Sequence, residues 1–194
     1  MSDPCIETIK VIDDLLESHC KEELFEFAAR PIWQYGWRSN IKVDRHFFWH
    51  AHFAGHGITN CTSCLDELNS RADISPISRL WSFLADTILV GHEPIRVYAN
   101  AHTYGAEGYC HTDNLDDENY FSTIFYAHAE WESNWGGELL FYNGDGDIIK
   151  AVSAKPGRIV SFPGSIMHKV GSPSRICNRL RVSYVFKTQL IIGA

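Results

Sequence analysis

Residues 122–164 read STIFYAHAEWESNWGGELLFYNGDGDIIKAVSAKPGRIVSFPG, and this stretch decides the fold class. Three short runs rich in β-branched and aromatic residues (STIFYA, GELLFY, GRIVSF) are separated by turn chemistry. The turns fall at Trp135-Gly136-Gly137, Asn143-Gly144-Asp145-Gly146 and Lys155-Pro156-Gly157. Working outward, IRVYA (95–99) and RVSYVFK (181–187) have the same character. No helical period interrupts the chain from about residue 93 onward, so an antiparallel jelly roll is expected.

Toward the N-terminus the period changes. Ser18 can cap a helix carrying Leu24, Phe25 and Ala28. Ser75-Pro76 opens a stronger one, with Ile77, Leu80, Trp81, Leu84 and Ile88 in helical spacing and Gly91 as a stop. Residues 31–64, rich in Trp, Tyr, His and Gly, are weakly periodic and are expected to be a long excursion rather than a core element. The expected architecture is mainly β with flanking helices. It forms one domain over 1–194, with a helical N-terminal support (about 1–92) and a β core (about 93–190).

Composition narrows the function. The chain has 194 residues, 45% hydrophobic, enough to bury a core. A net charge of −7 with no Lys/Arg-rich stripe argues against a nucleic-acid backbone as partner. No apolar run is long enough to cross a bilayer, and MSDPCIETIK is not a secretory signal. The six scattered cysteines suit a reducing cytoplasm, and Asn60-Cys61-Thr62 is read as a chance sequon.

Among the ten histidines, His111 stands two positions before Asp113 in YCHTDN (109–114). In an extended segment both side chains share a face. His168, in SFPGSIMHKV after the Lys155–Gly157 hairpin, is the best-placed third ligand. Two histidines and a carboxylate leave three coordination positions open, which suits Fe(II) taking a co-substrate and O2. An H-x-D pair alone is as readily a hydrogen-bonded surface pair. In RVSYVFK, Arg181 and Ser183 share one strand face while Val182, Tyr184 and Phe186 take the other. A buried arginine there requires an anion, and its planar fork fits a carboxylate, the alternative being an edge-strand salt bridge. Arg175 and Arg179 are alternatives that lack the following serine.

GYCHTDN, TIFYAHAEW, NWGGELLFY, PGRIVSFPGSIMH and RLRVSYVFK, in this order over roughly residues 93–187, together resemble the 2-oxoglutarate- and Fe(II)-dependent oxygenases, in the prolyl 4-hydroxylase-like branch. The resemblance implies a double-stranded β-helix with Fe(II) at His111, Asp113 and His168. It also implies 2-oxoglutarate as co-substrate, with Arg181, assisted by Ser183, on its distal carboxylate and Tyr126 sharing that carboxylate. A second tyrosine upstream is Tyr98, Tyr104 or Tyr109, with Tyr98 preferred. The implied activity is hydroxylation of an aliphatic C–H in a prolyl peptide, an amino acid or another small metabolite, coupled to O2 and decarboxylation of the co-substrate. No catalytic group beyond the metal centre is required. Two readings compete: oxidative demethylation of nucleic acid or nucleotide, and a catalytically silent jelly-roll binding module.

Other features point less clearly. WHAHFAGHGITNCTSC (49–64) places His50, His52, His56, Cys61 and Cys64 together, but usual zinc spacings are poorly matched. A polar-aromatic loop over the active site is the preferred reading, with Trp37, Arg38, Arg45, Trp49 and His50 as substrate-side candidates. His102 and His128 are read as hydrogen-bonded sheet residues, Trp131 and Trp135 as entrance or turn packing, and Cys110 as pointing away from the metal.

Overall fold

The computed structural model describes residues 6–39, 44–56 and 62–191. Its elements in chain order are β1 (Lys10–Ile12), α1 (Ser18–Ala28), β2 (Gln34–Trp37), β3 (Phe48–Ala54), α2 (Leu65–Ser70), α3 (Ser75–Thr87), β4 (His92–His102), β5 (Tyr120–Tyr126), β6 (Leu139–Tyr142), β7 (Ile148–Val152), β8 (Ile159–Pro163), β9 (His168–Val170) and β10 (Arg181–Leu190), with short 3-10 turns at Ile6–Thr8, Ala72–Ile74 and Ser133–Trp135. A seven-stranded sheet runs β1-β8-β5-β10-β4-β3-β2 and faces a three-stranded sheet, β7-β6-β9. All strand pairs among the described residues are antiparallel. This is the expected double-stranded β-helix.

Two cores flank the large sheet. On the outer face α1 and α3 bury Leu24, Phe27, Ile77, Leu80, Trp81 and Leu84 against Phe53, Tyr184 and Phe186. Each such side chain contributes about 1.5–3 kcal/mol by leaving water. Pro76 lies in the first turn of α3, where its missing N–H costs nothing. The Tyr184 hydroxyl donates to the Leu24 carbonyl at 2.7 Å, tying β10 to α1. Between the sheets, Ile124, Tyr126, Leu139, Phe141, Phe162 and Val185 form the second core. β10 is buried on both faces, so its alternation decides everything: Val182, Tyr184 and Phe186 meet the helices, while Arg181, Ser183, Val185 and Lys187 turn inward.

Three expectations need correction. Residues 31–64 are not only an excursion, because β2 and β3 lie within them and β3 pairs with β4. Trp49, Ala51 and Phe53 of β3 pack toward the helices. Its other face carries Phe48, His50 and His52, and these histidines hide the apolar period of two. The N-terminal support is therefore not purely helical, since β1, β2 and β3 all join the large sheet. The Lys155–Gly157 turn is not a hairpin but a crossing from β7 in one sheet to β8 in the other. Gly157 at φ 73° makes that corner.

Candidate metal centre

His111 and His168 face each other across an isolated β-bridge. Their backbones exchange hydrogen bonds, His111 N–H to His168 O at 3.0 Å and His168 N–H to His111 O at 2.9 Å. Two residues on, the Asp113 N–H donates to Gly164 O at 2.8 Å, which folds its side chain into the same space. His111 Nε2 then lies 3.7 Å from Asp113 Oδ1, and His168 Nε2 lies 3.6 Å from Asp113 Oδ2. Donor atoms of all three residues lie within 4.8 Å of one another. A metal about 2.1 Å from each nitrogen can sit among them.

The tautomers are set from behind. His111 Nδ1 meets the Tyr109 carbonyl at 2.7 Å and His168 Nδ1 meets the Ile166 carbonyl at 2.8 Å. Each ring therefore carries its proton on Nδ1 and turns a bare Nε2 inward, the outer-shell arrangement typical of ligating imidazoles. Burial pushes His168 down to about 4, so it is neutral at physiological pH.

Lys187, which no motif in the sequence marks, also enters this cluster. Its ammonium bonds the Asp113 carboxylate and, at 2.9 Å, the Ser122 hydroxyl. Ser122 donates to the same carboxylate oxygen at 2.5 Å. Burial works against the Asp113 charge, but Lys187 and the two histidines outweigh it and hold the carboxyl well below the usual range. A buried lysine on the Arg181 face of RVSYVFK was readable from the alternation, because such a residue requires a paired anion.

Beside these residues lies a cavity of about 470 Å³, with Arg96, Tyr98, His102, Leu139, Ser183 and Lys187 among its walls. Of the three candidate tyrosines only Tyr98 lines it, while Tyr104 is 66% and Tyr109 42% exposed. Arg181 is 0% exposed and lies on the inward face of β10, two residues before Ser183 of the cavity wall. Its Nε donates to Gly137 O at 2.6 Å and its Nη2 lies 3.4 Å from the Tyr126 hydroxyl. Among the described residues its Nη1 has no partner, and neither does Nδ1 of His102, the residue paired opposite Arg181 on β4. Arg181 and His102 thus leave two buried polar atoms open at one register position, an arrangement that costs free energy until a ligand fills it. His102 is therefore not the hydrogen-bonded sheet residue expected, whereas His128 is, held by Ala154 O at 2.7 Å. Arg179, the competitor of Arg181, pairs with Glu130 at the surface.

The remaining candidates separate. Trp37 and His50 stack at 4.0 Å, and His50 Nδ1 meets Asn100 Oδ1 at 2.9 Å, against the cavity wall. Trp49 packs toward the helices, Arg38 lies over Phe47, and Arg45 is exposed. Trp131 donates to Gly136 O and braces the turn. Cys110 is exposed and Cys64 is buried, while Cys61 lies outside the described residues. Arg96, missed in the sequence, stacks on Tyr98 at 4.5 Å and Trp37 at 5.3 Å.

Residues 99–186 match a family model, the 2OG-Fe(II) oxygenase superfamily. No curated protein matches the chain. The fold is similar to a prolyl hydroxylase from Trichoplax adhaerens solved with a hypoxia inducible factor peptide fragment (TM-score 0.70, 14% identity, 95% of this chain and 84% of that one). It is also similar to a 2OG-Fe(II) oxygenase family oxidoreductase from Burkholderia pseudomallei (0.70, 13%, 97% and 88%). A Pseudomonas putida prolyl-4-hydroxylase is a third such structure (0.61, 16%, 94% and 92%).

Proposed function

We propose that this chain, whose core is a 2OG-Fe(II) oxygenase domain of the prolyl 4-hydroxylase-like type, hydroxylates an aliphatic C–H bond in a prolyl peptide, an amino acid or another small metabolite. His111, Asp113 and His168 would hold Fe(II), and Arg181 would hold the distal carboxylate of 2-oxoglutarate. The strongest support is the convergence of two bare imidazole nitrogens and one ionised carboxylate beside a cavity. That donor set fits Fe(II) with open positions. The unpartnered Nη1 of Arg181 fits a carboxylate.

Bound together, iron and 2-oxoglutarate supply O2 activation and the decarboxylation that drives it. The chain's own side chains supply the rest. Lys187 and Ser122 hold one oxygen of Asp113, leaving the other for the metal. Tyr126 steadies the Arg181 guanidinium, with its ring 5.0 Å below and its hydroxyl at one edge. Ser183 and Tyr98 line the space between, and burial keeps water from competing there.

Arg96 faces the cavity with no carboxylate partner among the described residues, which favours a substrate carrying an anionic group. The four cysteines described as free thiols are compatible with a reducing, cytoplasmic setting. No helix among the described residues is long and apolar enough to cross a membrane. The test is succinate formation with Fe(II), 2-oxoglutarate and a panel of prolyl peptides and amino acids. Iron-dependent succinate that rises with one substrate class is expected. Absence of iron-dependent turnover across the panel would sink the proposal.

A further inference from the structure

At the far end of β3 the chain assembles a second set of metal-type donors that the oxygenase chemistry does not use. His52 lies exposed on β3, opposite Tyr98 of β4 in register. The strand then ends in a tight turn at Gly55, with φ at 81°. A Cβ at Gly55 would meet the Ile95 carbonyl oxygen at 2.3 Å and the Arg96 Cα at 2.9 Å, so only glycine fits this turn. The turn lays His56 back beside His52, their rings 5.3 Å apart and 23° from parallel. Glu67 reaches them from α2. Its Oε2 accepts the Gly55 N–H at 2.8 Å, which leaves Oε1 3.7 Å from His56 Nε2.

We propose that His52, His56 and Glu67 form a second binding site, for a divalent transition metal of the zinc type, separate from the catalytic centre. Donor atoms of the three lie within 4.8 Å of one another. Two imidazoles and one carboxylate are the borderline nitrogen and oxygen donors that zinc takes, with a fourth position left for water. The carboxylate is oriented before any metal arrives, since Gly55 fixes one oxygen and frees the other, as outer-shell partners do in built sites. Burial pushes His52 down from its ordinary value, with Glu67 opposing and His56, Arg96 and Arg71 adding to the effect. Two imidazoles brought face to face gain nothing from each other as an ion pair, but both can ligate one ion. Cys64 does not take part, because it is 5% exposed and packs into the helix-side core. Cys61 lies outside the described residues. A bound ion would fasten the end of β3 to α2 and brace the strand pair that carries Tyr98 and Arg96 into the cavity.

The test is calorimetric zinc titration of the full chain carrying His111→Ala, which breaks the catalytic triad, alone and combined with His56→Ala or Glu67→Gln. The His111→Ala chain is expected to bind one zinc ion. Removing His56 or the Glu67 charge is expected to weaken that binding at least about 10–100-fold. Glu67→Gln keeps an amide oxygen for the Gly55 N–H, so it removes a ligand without unmaking the turn, and circular dichroism checks the fold. Cys61→Ser is expected to leave the affinity unchanged. No zinc on the His111→Ala chain, undiminished binding after either second substitution, or loss of binding with Cys61→Ser would each overturn the assignment.

Discussion

Lys187 and Asp113 form a buried ion pair inside the candidate metal centre, with the ammonium on the same carboxylate oxygen that Ser122 holds. The lysine is 5% exposed and comes from the strand that also carries Arg181. It therefore supplies positive charge that holds the Asp113 carboxylate ionised. Lys187→Met should destabilise the metal-free protein by about 3–5 kcal/mol, the cost of stranding one buried charge. Because the metal then meets an uncompensated carboxylate, Mn(II) should raise the melting temperature of the variant more than that of the wild type. An equal or smaller rise, measured by calorimetry, would mean that Lys187 does not compete with the ion.

Arg181 predicts a co-substrate effect. Its Nη1 awaits an acceptor, and truncating one partner of a buried charge pair costs about 2–5 kcal/mol. Arg181→Ala should raise the 2-oxoglutarate concentration needed for half-maximal turnover on the order of 100-fold, with iron affinity little changed. Unchanged co-substrate dependence would reject the assignment.

Gly137 tests the same contact from the other side. At φ 75°, a Cβ there would lie 2.9 Å from Arg181 Cδ and 3.2 Å from the Trp131 ring. Gly137→Ala combines an unfavourable backbone with a displaced guanidinium. A lower melting temperature together with weaker 2-oxoglutarate binding by calorimetry is expected, and a lower melting temperature alone would argue that Arg181 does not meet the co-substrate.

How much of this was legible in the sequence depends on which face of a strand is read. The convergence of His111, Asp113 and His168 was readable because two short motifs in order bring three donors together, and the inward face of Arg181 and Ser183 because strand alternation is strict. The same alternation carried to position 187 would have reached Lys187. β3 escaped because Phe48, His50 and His52 form a polar-aromatic face turned away from the helices, so no apolar stripe marks the strand. The open Nδ1 of His102 was not legible at all, since an unpartnered atom depends on what the neighbouring strand withholds. The Glu67 side chain joins His52 and His56 only through the Gly55 turn, which spacing alone does not reveal.

Acid stability follows from the buried histidines. His50 and His128 are pushed down to about 4 and His102 to about 3, in each case first by burial. Their folded values lie below the unfolded value near 6.5, so the unfolded chain binds more protons between those limits. The stabilisation is complete above about pH 6.5 and is lost as pH falls toward 4, at up to about 4 kcal/mol per pH unit for three protons. Urea unfolding of the metal-free protein at pH 7 and pH 5 should show that loss, and equal stability at the two values would contradict it.

The most direct measurement is an anaerobic absorption titration of the metal-free chain with Fe(II) and 2-oxoglutarate, which reads formation of the chelate without any need for the substrate. A visible charge-transfer band is expected only when both are present, saturating with one chelate per chain and absent from His111→Ala. No band in the wild type, or an equal band in His111→Ala, would contradict an iron centre built on His111, Asp113 and His168.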